Sequence, residues 1–320
     1  VIVDSSAVDT AVLGSYTVTY NVTDSEGNAA IEVTRTVDVV DTTAPLITLL
    51  GANPQVIEVG TGYTELGATA VDNYDGDLTG SLVVDASAVD TAVLGSYPVT
   101  YDVTDSEGNP ATQIIRTVDV VDTTAPVITL LGADPQQIPV GSPYSELGAT
   151  AVDNYDGDLT GSIVINSSAV DTATVGSYVV TYDVADGQGN PATQVTRTVD
   201  VLNVAPTLGV LANQTIDEDV PLTFTATATD PDPTDVLTFS LSGEPAGAAI
   251  TATGDFTWTP TEAQGPGVYS FDVVVTDSGA PALTDTHTLS VTVGEVNQAP
   301  TLGAAGPYAL DEQTMLSFAM

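Results

Sequence analysis

"VLGSYPVTYDVTDSEGN", residues 93–109, alternates large apolar and small or polar residues and then breaks into a turn. Beyond Gly95, the residues Tyr97, Val99, Tyr101 and Val103 take every second position, with Pro, Thr and Asp between them. That period of two belongs to a strand with one buried face. Asp105 and the "SEGN" after it are turn residues, which close a hairpin. The pattern Gly-x-Tyr-x-hydrophobic-x-Tyr/Val-x-Val-x-Asp recurs around Tyr16, Tyr178 and Tyr269. Its leading tyrosine fits a tyrosine corner, where the hydroxyl holds backbone at the loop entering a late strand of a sandwich. The other use of such rings is as sugar-stacking platforms.

Working outward, the chain repeats itself at an offset of 81. "TRTVDVVDTTAP" (34–45) meets "IRTVDVVDTTAP" (115–126), and the arginines stand at 35, 116 and 197. A period this long is one small domain per repeat. Proline linkers at "DTTAP" (41–45 and 122–126), "NVAP" (203–206) and "NQAP" (297–300) mark the boundaries. The expected units are 1–41, 42–122, 123–203, 204–297 and a further start at 298–320, where "LDEQTMLSF" (310–318) echoes "IDEDVPLTF" (216–224). Within repeat two, "PLITLL", "QVIEV", "LGATAV", "SLVVDA", "YPVTYDV" and "TQIIRTVDVV" read as short alternating strands. No stretch carries a helical period. The fold class expected is all-β, tandem β-sandwiches arranged as an extended rod.

The chain has 320 residues, with 43 acidic and three basic, for a net charge of −40. Such a surface repels nucleic acid and anionic membranes and attracts cations. A hydrophobic content of 42% is too high for a solvated tail. There is no cysteine, so no disulfide staples the domains. The chain opens and stops within strand-like sequence and reads as a segment of a longer protein, with no membrane insertion of its own.

"AVDNYDGDLTG" occurs at 70–80 and again at 151–161. It is not an EF-hand: with Gly76 at the loop's sixth position, Val71 and Leu82 fall where ligands are required. In an Ig-like sandwich the first strand starts, the second strand ends and the last hairpin turns at one and the same end. That end gathers linker Asp41 with Asp72, Asp75, Asp77, Asp105 and Glu107 in repeat two. In repeat three it gathers Asp122 with Asp153, Asp156, Asp158 and Asp186. Five or six carboxylates at one junction repel, and a calcium ion with its six to eight oxygen ligands relieves them. The other reading is a solvated Asp-Gly turn, which needs no metal.

Arg116 shares the inward parity of its strand with Ile114, Val118 and Val120. Its expected partner is Asp72, with Glu65 as the alternative; the counterpart pair in repeat three is Arg197 with Asp153. In repeat four the only histidine, His287, takes the arginine slot and Asp230 the aspartate slot.

Repeats one to three resemble the bacterial Ig-like surface repeats related to HYR and PKD modules, through "DTTAPVITLLG", "YSELGATAVDNYDGDLTG" and "GSYVVTYDVADGQGNPATQVTRTVDV". Repeat four resembles the dystroglycan-type cadherin-like domain, through "NQTIDEDVPLTFTATATDPDP", "GDFTWTPT", "GVYSFDVVVTDSG" and "VTVGEVNQAP". The second resemblance implies calcium ligands at Asp217, Glu218, Asp230, Asp232, Glu295 and Asn297, with Gln298 standing where the family's linker motif has its second aspartate. Both imply a segment of a bacterial cell-surface or secreted protein, an adhesive stalk stiffened by calcium. Its partners would be neighbouring repeats and another surface, glycan or like protein.

Catalytic parts are missing from the sequence. It has no cysteine, no Gly-x-Ser-x-Gly and one histidine, and its densest carboxylate cluster recurs unchanged in two repeats. The rival function is a carbohydrate-binding or spacer module of a large secreted polysaccharide-degrading enzyme, for which Trp258 would have to be exposed.

Overall fold

The computed structural model describes residues 1–297, 299–303 and 306. The expected fifth unit, 310–318 included, and Gln298 lie outside the described residues. By internal packing the chain forms two compact units. One comprises Val1–Thr129, Thr150–Ile163 and Asp183–Thr193; the other comprises Leu130–Ala149, Val164–Tyr182 and the described residues from Gln194 onward.

In the first unit, repeat one contributes β1 (Ile2–Asp4), β2 (Gly14–Asn21) and β3 (Val33–Val39), paired in that order. Repeat two has seven strands: β4 (Leu46–Leu49), β5 (Gln55–Glu58), β6 (Ala68–Asp72), β7 (Gly76–Asp77), β8 (Val83–Asp85), β9 (Gly95–Asp102) and β10 (Ile114–Val121). They make one sheet in the order β5-β10-β9-β8 and another in the order β4-β6-β7. The alternation seen in the sequence becomes the core. Ile47, Ala68 and Ala70 of one sheet pack on Val99, Tyr101 and Val118 of the other. β5 runs parallel to β10 while β9 runs antiparallel to it.

Repeat three pairs alike, with β12 (Gln136–Pro139), β16 (Val195–Leu202), β15 (Gly176–Asp183) and β14 (Val164–Asn166) in one sheet, and β11 (Val127–Leu130) beside β13 (Ala149–Val152). Repeat four, in the second unit, runs β17 (Thr207–Leu208), β18 (Gln214–Asp217), β19 (Leu222–Thr225), β20 (Ala228–Thr229), β21 (Thr238–Ser242), β22 (Ala249–Ile250), β23 (Asp255–Trp258), β24 (Gly267–Thr276) and β25 (Thr284–Gly294). Its main sheet is β18-β25-β24-β21. Phe256, Trp258, Phe271 and Leu289 form the centre of its core. Helix among the described residues is confined to three 3-10 turns of three residues each. None is long and apolar enough to cross a membrane.

The four tyrosine corners are present. The hydroxyls of Tyr16, Tyr97, Tyr178 and Tyr269 donate to the carbonyls of Val12 at 2.8 Å, Val93 at 2.9 Å, Thr174 at 2.8 Å and Gln264 at 2.9 Å. Each hydroxyl satisfies a backbone acceptor in the loop ahead of its own strand. The hydroxyls are thereby committed to the backbone.

The inward arginine is also present, but with a different partner. Arg116 and Arg197 are fully buried. Arg116 donates to the Leu50 carbonyl at 2.5 Å and the Gly67 carbonyl at 2.9 Å, and its Nη1 stands 3.8 Å from Glu65. Arg197 donates to the carbonyls of Leu131 (2.5 Å), Ala133 (2.6 Å) and Gly148 (3.0 Å), and to the Tyr182 hydroxyl (3.0 Å). The Arg116–Asp72 and Arg197–Asp153 pairs are therefore corrected. Parity placed the residues on the right face but at opposite ends of it. From Gly67 to Asp72 the strand climbs five residues, roughly 16 Å, beyond the reach of one side chain. The alternative partner, Glu65, is the one adopted. Its carboxylate also accepts from Tyr101 at 2.5 Å and from Tyr63. In repeat four, the His287–Asp230 pair fails likewise: Asp230 lies with Asp235 and Asp277, and His287 stands opposite Val273 in the β24–β25 ladder.

Candidate metal centres

The densest centre lies where repeat two passes into repeat three. Asp122 follows β10, Asp153 follows β13, Asp156 stands in the turn after it, and Asp186 opens the β15–β16 hairpin. Each brings one carboxylate oxygen to a point where all four lie within 4.8 Å of one another. Local chemistry fixes every one of them. Asp153 Oδ1 accepts the Tyr155 and Asp156 N–H groups at 2.8 and 2.9 Å, and Gly157 (φ +74°) supplies the left-handed residue the turn needs. Asn190 Nδ2 donates to Asp186 Oδ2 at 2.7 Å and to the Asp122 carbonyl at 3.1 Å, stapling hairpin to linker. Asp122 Oδ1 accepts the Thr124 N–H at 3.1 Å. The second oxygen of Asp153, whose residue is only 6% exposed, is buried without a hydrogen-bond partner. Burial pushes the Asp122 carboxyl above its ordinary value; Asp153, Glu58 and Asp186 add to this against the Thr124 N–H.

The linker itself is clasped from repeat two. Glu58 accepts the Thr123 hydroxyl at 2.7 Å, the Thr124 hydroxyl at 2.8 Å and the Thr123 N–H at 3.1 Å. The Thr123 and Thr124 hydroxyls, with that N–H, hold the Glu58 carboxyl down to about 2. Glu58 thereby orients the segment that carries Asp122.

The centre between repeats one and two is built alike but divides. Asp41, Asp72 and Asp105 form one group; Asp75, Asp105 and Glu107 form another. Asp72 Oδ1 accepts the Tyr74 and Asp75 N–H groups at 2.7 and 3.0 Å, and these N–H groups hold its carboxyl below the usual range. The remaining oxygens of Asp41 and Asp72 are buried without partners. Asn109 repeats the staple, to the Asp41 carbonyl at 3.2 Å and Asp105 Oδ2 at 2.7 Å.

Repeat four carries two groups. Asp230, Asp235 and Asp277 form the first. Asn203, in the linker position of Asp41 and Asp122, donates its amide to Asp277 Oδ2 at 3.0 Å. Burial, then Asp235 and Asp277, push the Asp230 carboxyl up. Glu218, Glu262 and Glu295 form the second; Glu218 is buried, with one oxygen accepting the Val296 N–H at 2.9 Å and the other unpartnered.

Several expected ligands stand outside these groups. Asp77 and Asp158 accept the Thr79 and Thr160 N–H groups at 3.0 and 2.9 Å, turned to the start of a 3-10 turn. Asp232 accepts Thr234 through both its N–H and hydroxyl. Asp217 pairs beside Gly294, and Asn297 stands beyond Glu295 in the linker, neither in the glutamate group. Three residues escaped the sequence reading. Asp277 was legible, because it ends the fourth copy of the tyrosine motif at the place of Asp105 and Asp186. Asp235 and Glu262 lie in loops with no counterpart in the other repeats, and nothing in the pattern marks them.

All these donors are oxygens, which suits a hard cation such as calcium. The buried, unpartnered oxygens of Asp72, Asp153 and Glu218 fit that role, since a carboxylate withdrawn from water is costly unless something pairs with it.

Residues 1–39, 47–120 and 128–201 match the family described as "Bacterial surface protein, Ig-like domain". The chain belongs to that family. Residues 205–294, where a cadherin-like unit was expected, match the "Putative Ig domain" family. Hyalin of Strongylocentrotus purpuratus is 33% identical over 206 residues, covering 60% of this chain and 17% of hyalin. A serine-rich adhesin for platelets of Staphylococcus aureus (strain MRSA252) is 29% identical over 211 residues, covering 58% of this chain and 15% of the adhesin. The chain thus spans under a fifth of either relative. The solved Protocadherin GammaB4 extracellular domain is 17% identical, over 89% of this chain and 57% of that one, with a TM-score of 0.34. Three tandem bacterial surface-protein Ig-like matches are thus followed by a fourth Ig-like domain.

Proposed function

We propose that this segment is an extracellular, non-enzymatic stalk of a bacterial surface or secreted protein, and that calcium ions bound at its repeat junctions stiffen it. The units are those bounded by the proline linkers, 42–122, 123–203 and 204–297 being whole. One observation carries the reading: linker Asp122 meets Asp153, Asp156 and Asp186 of the next repeat, with an Asp153 oxygen buried and unpartnered among them. A ligand set drawn from linker, turn and hairpin ties adjoining repeats only when an ion is bound, because the bare charges repel. The likeness to an adhesin supports adhesion as the stalk's use, and its partner would be another surface, a glycan or a like protein. The sugar-platform reading loses its main residue: Trp258 is 2% exposed, with its indole N–H on the Ala246 carbonyl.

Small-angle scattering of the whole segment with calcium and with chelator tests the proposal. The account expects a longer, narrower distance distribution with calcium. Superimposable profiles, with calcium binding verified by calorimetry, would remove the stiffening role.

A further inference from the structure

Repeats two and three share "AVDNYDGDLTG" and the linker "DTTAP", yet their centres differ. Two hairpin positions account for it: "DSEGN" in repeat two is "DGQGN" in repeat three, so Ser106 and Glu107 correspond to Gly187 and Gln188. Ser106 engages both oxygens of Asp75, its N–H donating to Oδ2 at 2.7 Å and its hydroxyl lying 2.7 Å from Oδ1. The same hydroxyl lies 2.6 Å from Glu107 Oε2. Asp75 is therefore held toward the hairpin and is not part of the Asp41–Asp72–Asp105 group. In repeat three, Gly187 offers only its N–H, 2.7 Å from Asp156 Oδ2. A Cβ at that position would stand 3.2 and 3.3 Å from the two Asp156 oxygens, so a side chain there would crowd the carboxylate. With glycine, Asp156 joins Asp122, Asp153 and Asp186 in a single group.

Gln188 completes the difference. With its amide nitrogen turned inward, it donates to Asp156 Oδ2 at 3.0 Å and to Asp122 Oδ2 at 3.1 Å. A half-turn of the amide puts its carbonyl oxygen at the same place, facing the same carboxylates. The neutral side chain thus has two uses: as a donor it bridges the carboxylates of the ion-free centre, and as an acceptor it adds an oxygen to a cation's ligands. Glu107 has no nitrogen to bridge with and adds a further negative charge.

We propose that the hairpin pair at 106–107 and 187–188 ranks the junctions, and that Gln188 is a fifth protein ligand, through its amide oxygen, at the tighter centre. The inference rests on the calcium reading above and adds the determinant of affinity at that site. Asp153, buried with an unpartnered oxygen, anchors the four-carboxylate centre independently of the hairpin.

Calcium calorimetry on the whole segment tests it. Asp153→Asn identifies the binding event at the Asp122 centre as the one it removes. Gln188→Ala should weaken that event on the order of tenfold, the kind of step by which ligand set and rigidity tune such sites. The double change S106G with E107Q should strengthen the Asp41–Asp72–Asp105 site by a similar factor, and G187S with Q188E should divide and weaken the tighter one. If Asp153→Asn abolishes an event that Gln188→Ala and both exchanges leave unchanged, the hairpin is no determinant: the inference falls and the calcium reading stands. If no calcium binds at millimolar concentrations, both fall.

Discussion

Replacing Arg197 by methionine should cost repeat three about 4 kcal/mol. The guanidinium is fully buried and donates to three backbone carbonyls, those of Leu131, Ala133 and Gly148, and to the Tyr182 hydroxyl, which in turn donates to Glu146 at 2.6 Å. Methionine fills much of the stem's volume but donates nothing. Hydrogen bonds to charged groups are worth about 1.5–3 kcal/mol each, so three at the lower end come to about 4–5. Removing one side of a buried charged network costs about 3–5 kcal/mol, which agrees. In a domain of about 80 residues each kcal/mol moves the melting point by about 4–8 °C. The calorimetric transition containing repeat three should therefore fall by about 15–30 °C. Arg197→Lys should recover only part of this, because an ammonium has three donors from one point and cannot span the carbonyls as the planar fork does. A loss under about 1 kcal/mol for Arg197→Met would refute the claim that this cation organises the strand ends around it.

At the centre between repeats two and three, Asp153→Asn should abolish the tightest calcium event in calorimetry while Asp158→Asn, twice removed in the same turn, should leave it intact; equal effects would show that the turn and not the cluster is being perturbed. The Glu58 clasp should be acid-resistant. Its carboxyl is held down to about 2 by Thr123 and Thr124. Because the folded value lies below the ordinary one, the clasp adds stability at neutral pH and gives it up as pH falls from the ordinary glutamate range through about 2. A carboxyl-carbon NMR titration checks this, and a Glu58 that titrates in the ordinary range would contradict it. Tyr178→Phe should cost about 1 kcal/mol, the worth of one hydrogen bond, in the melting of repeat three; no change would show that the corner's hydroxyl bond to Thr174 is dispensable.

The fold was legible because its signals are local and periodic. The alternation through Tyr97, Val99 and Tyr101 dictates a one-faced strand, and the repetition at 81 residues multiplies that reading. Of the five residues expected at one end of repeat three, Asp122, Asp153, Asp156 and Asp186 converge and Asp158 does not, because that expectation depends only on which loops share an end. What escaped was position along a strand. Parity says that Arg116 and Asp72 share a face, but not that they sit at opposite ends of it. It says nothing of side chains, such as Asp77 and Asp158, whose nearest N–H is two residues on and captures them first. In repeat four the loops bearing Asp235 and Glu262 have no copy to compare with, so three-dimensional convergence was their only signal.

The central claim is that the carboxylates at the repeat junctions hold calcium. Crystals of the whole segment grown in calcium, with anomalous differences collected at long wavelength, test it most directly. An anomalous peak should appear bounded by Asp122, Asp153, Asp156 and Asp186, with the otherwise unpartnered Asp153 Oδ2 among its ligands. A map with no peak there at millimolar calcium, and Asp153 Oδ2 hydrogen-bonded to water instead, would contradict it and leave the motif as a solvated turn.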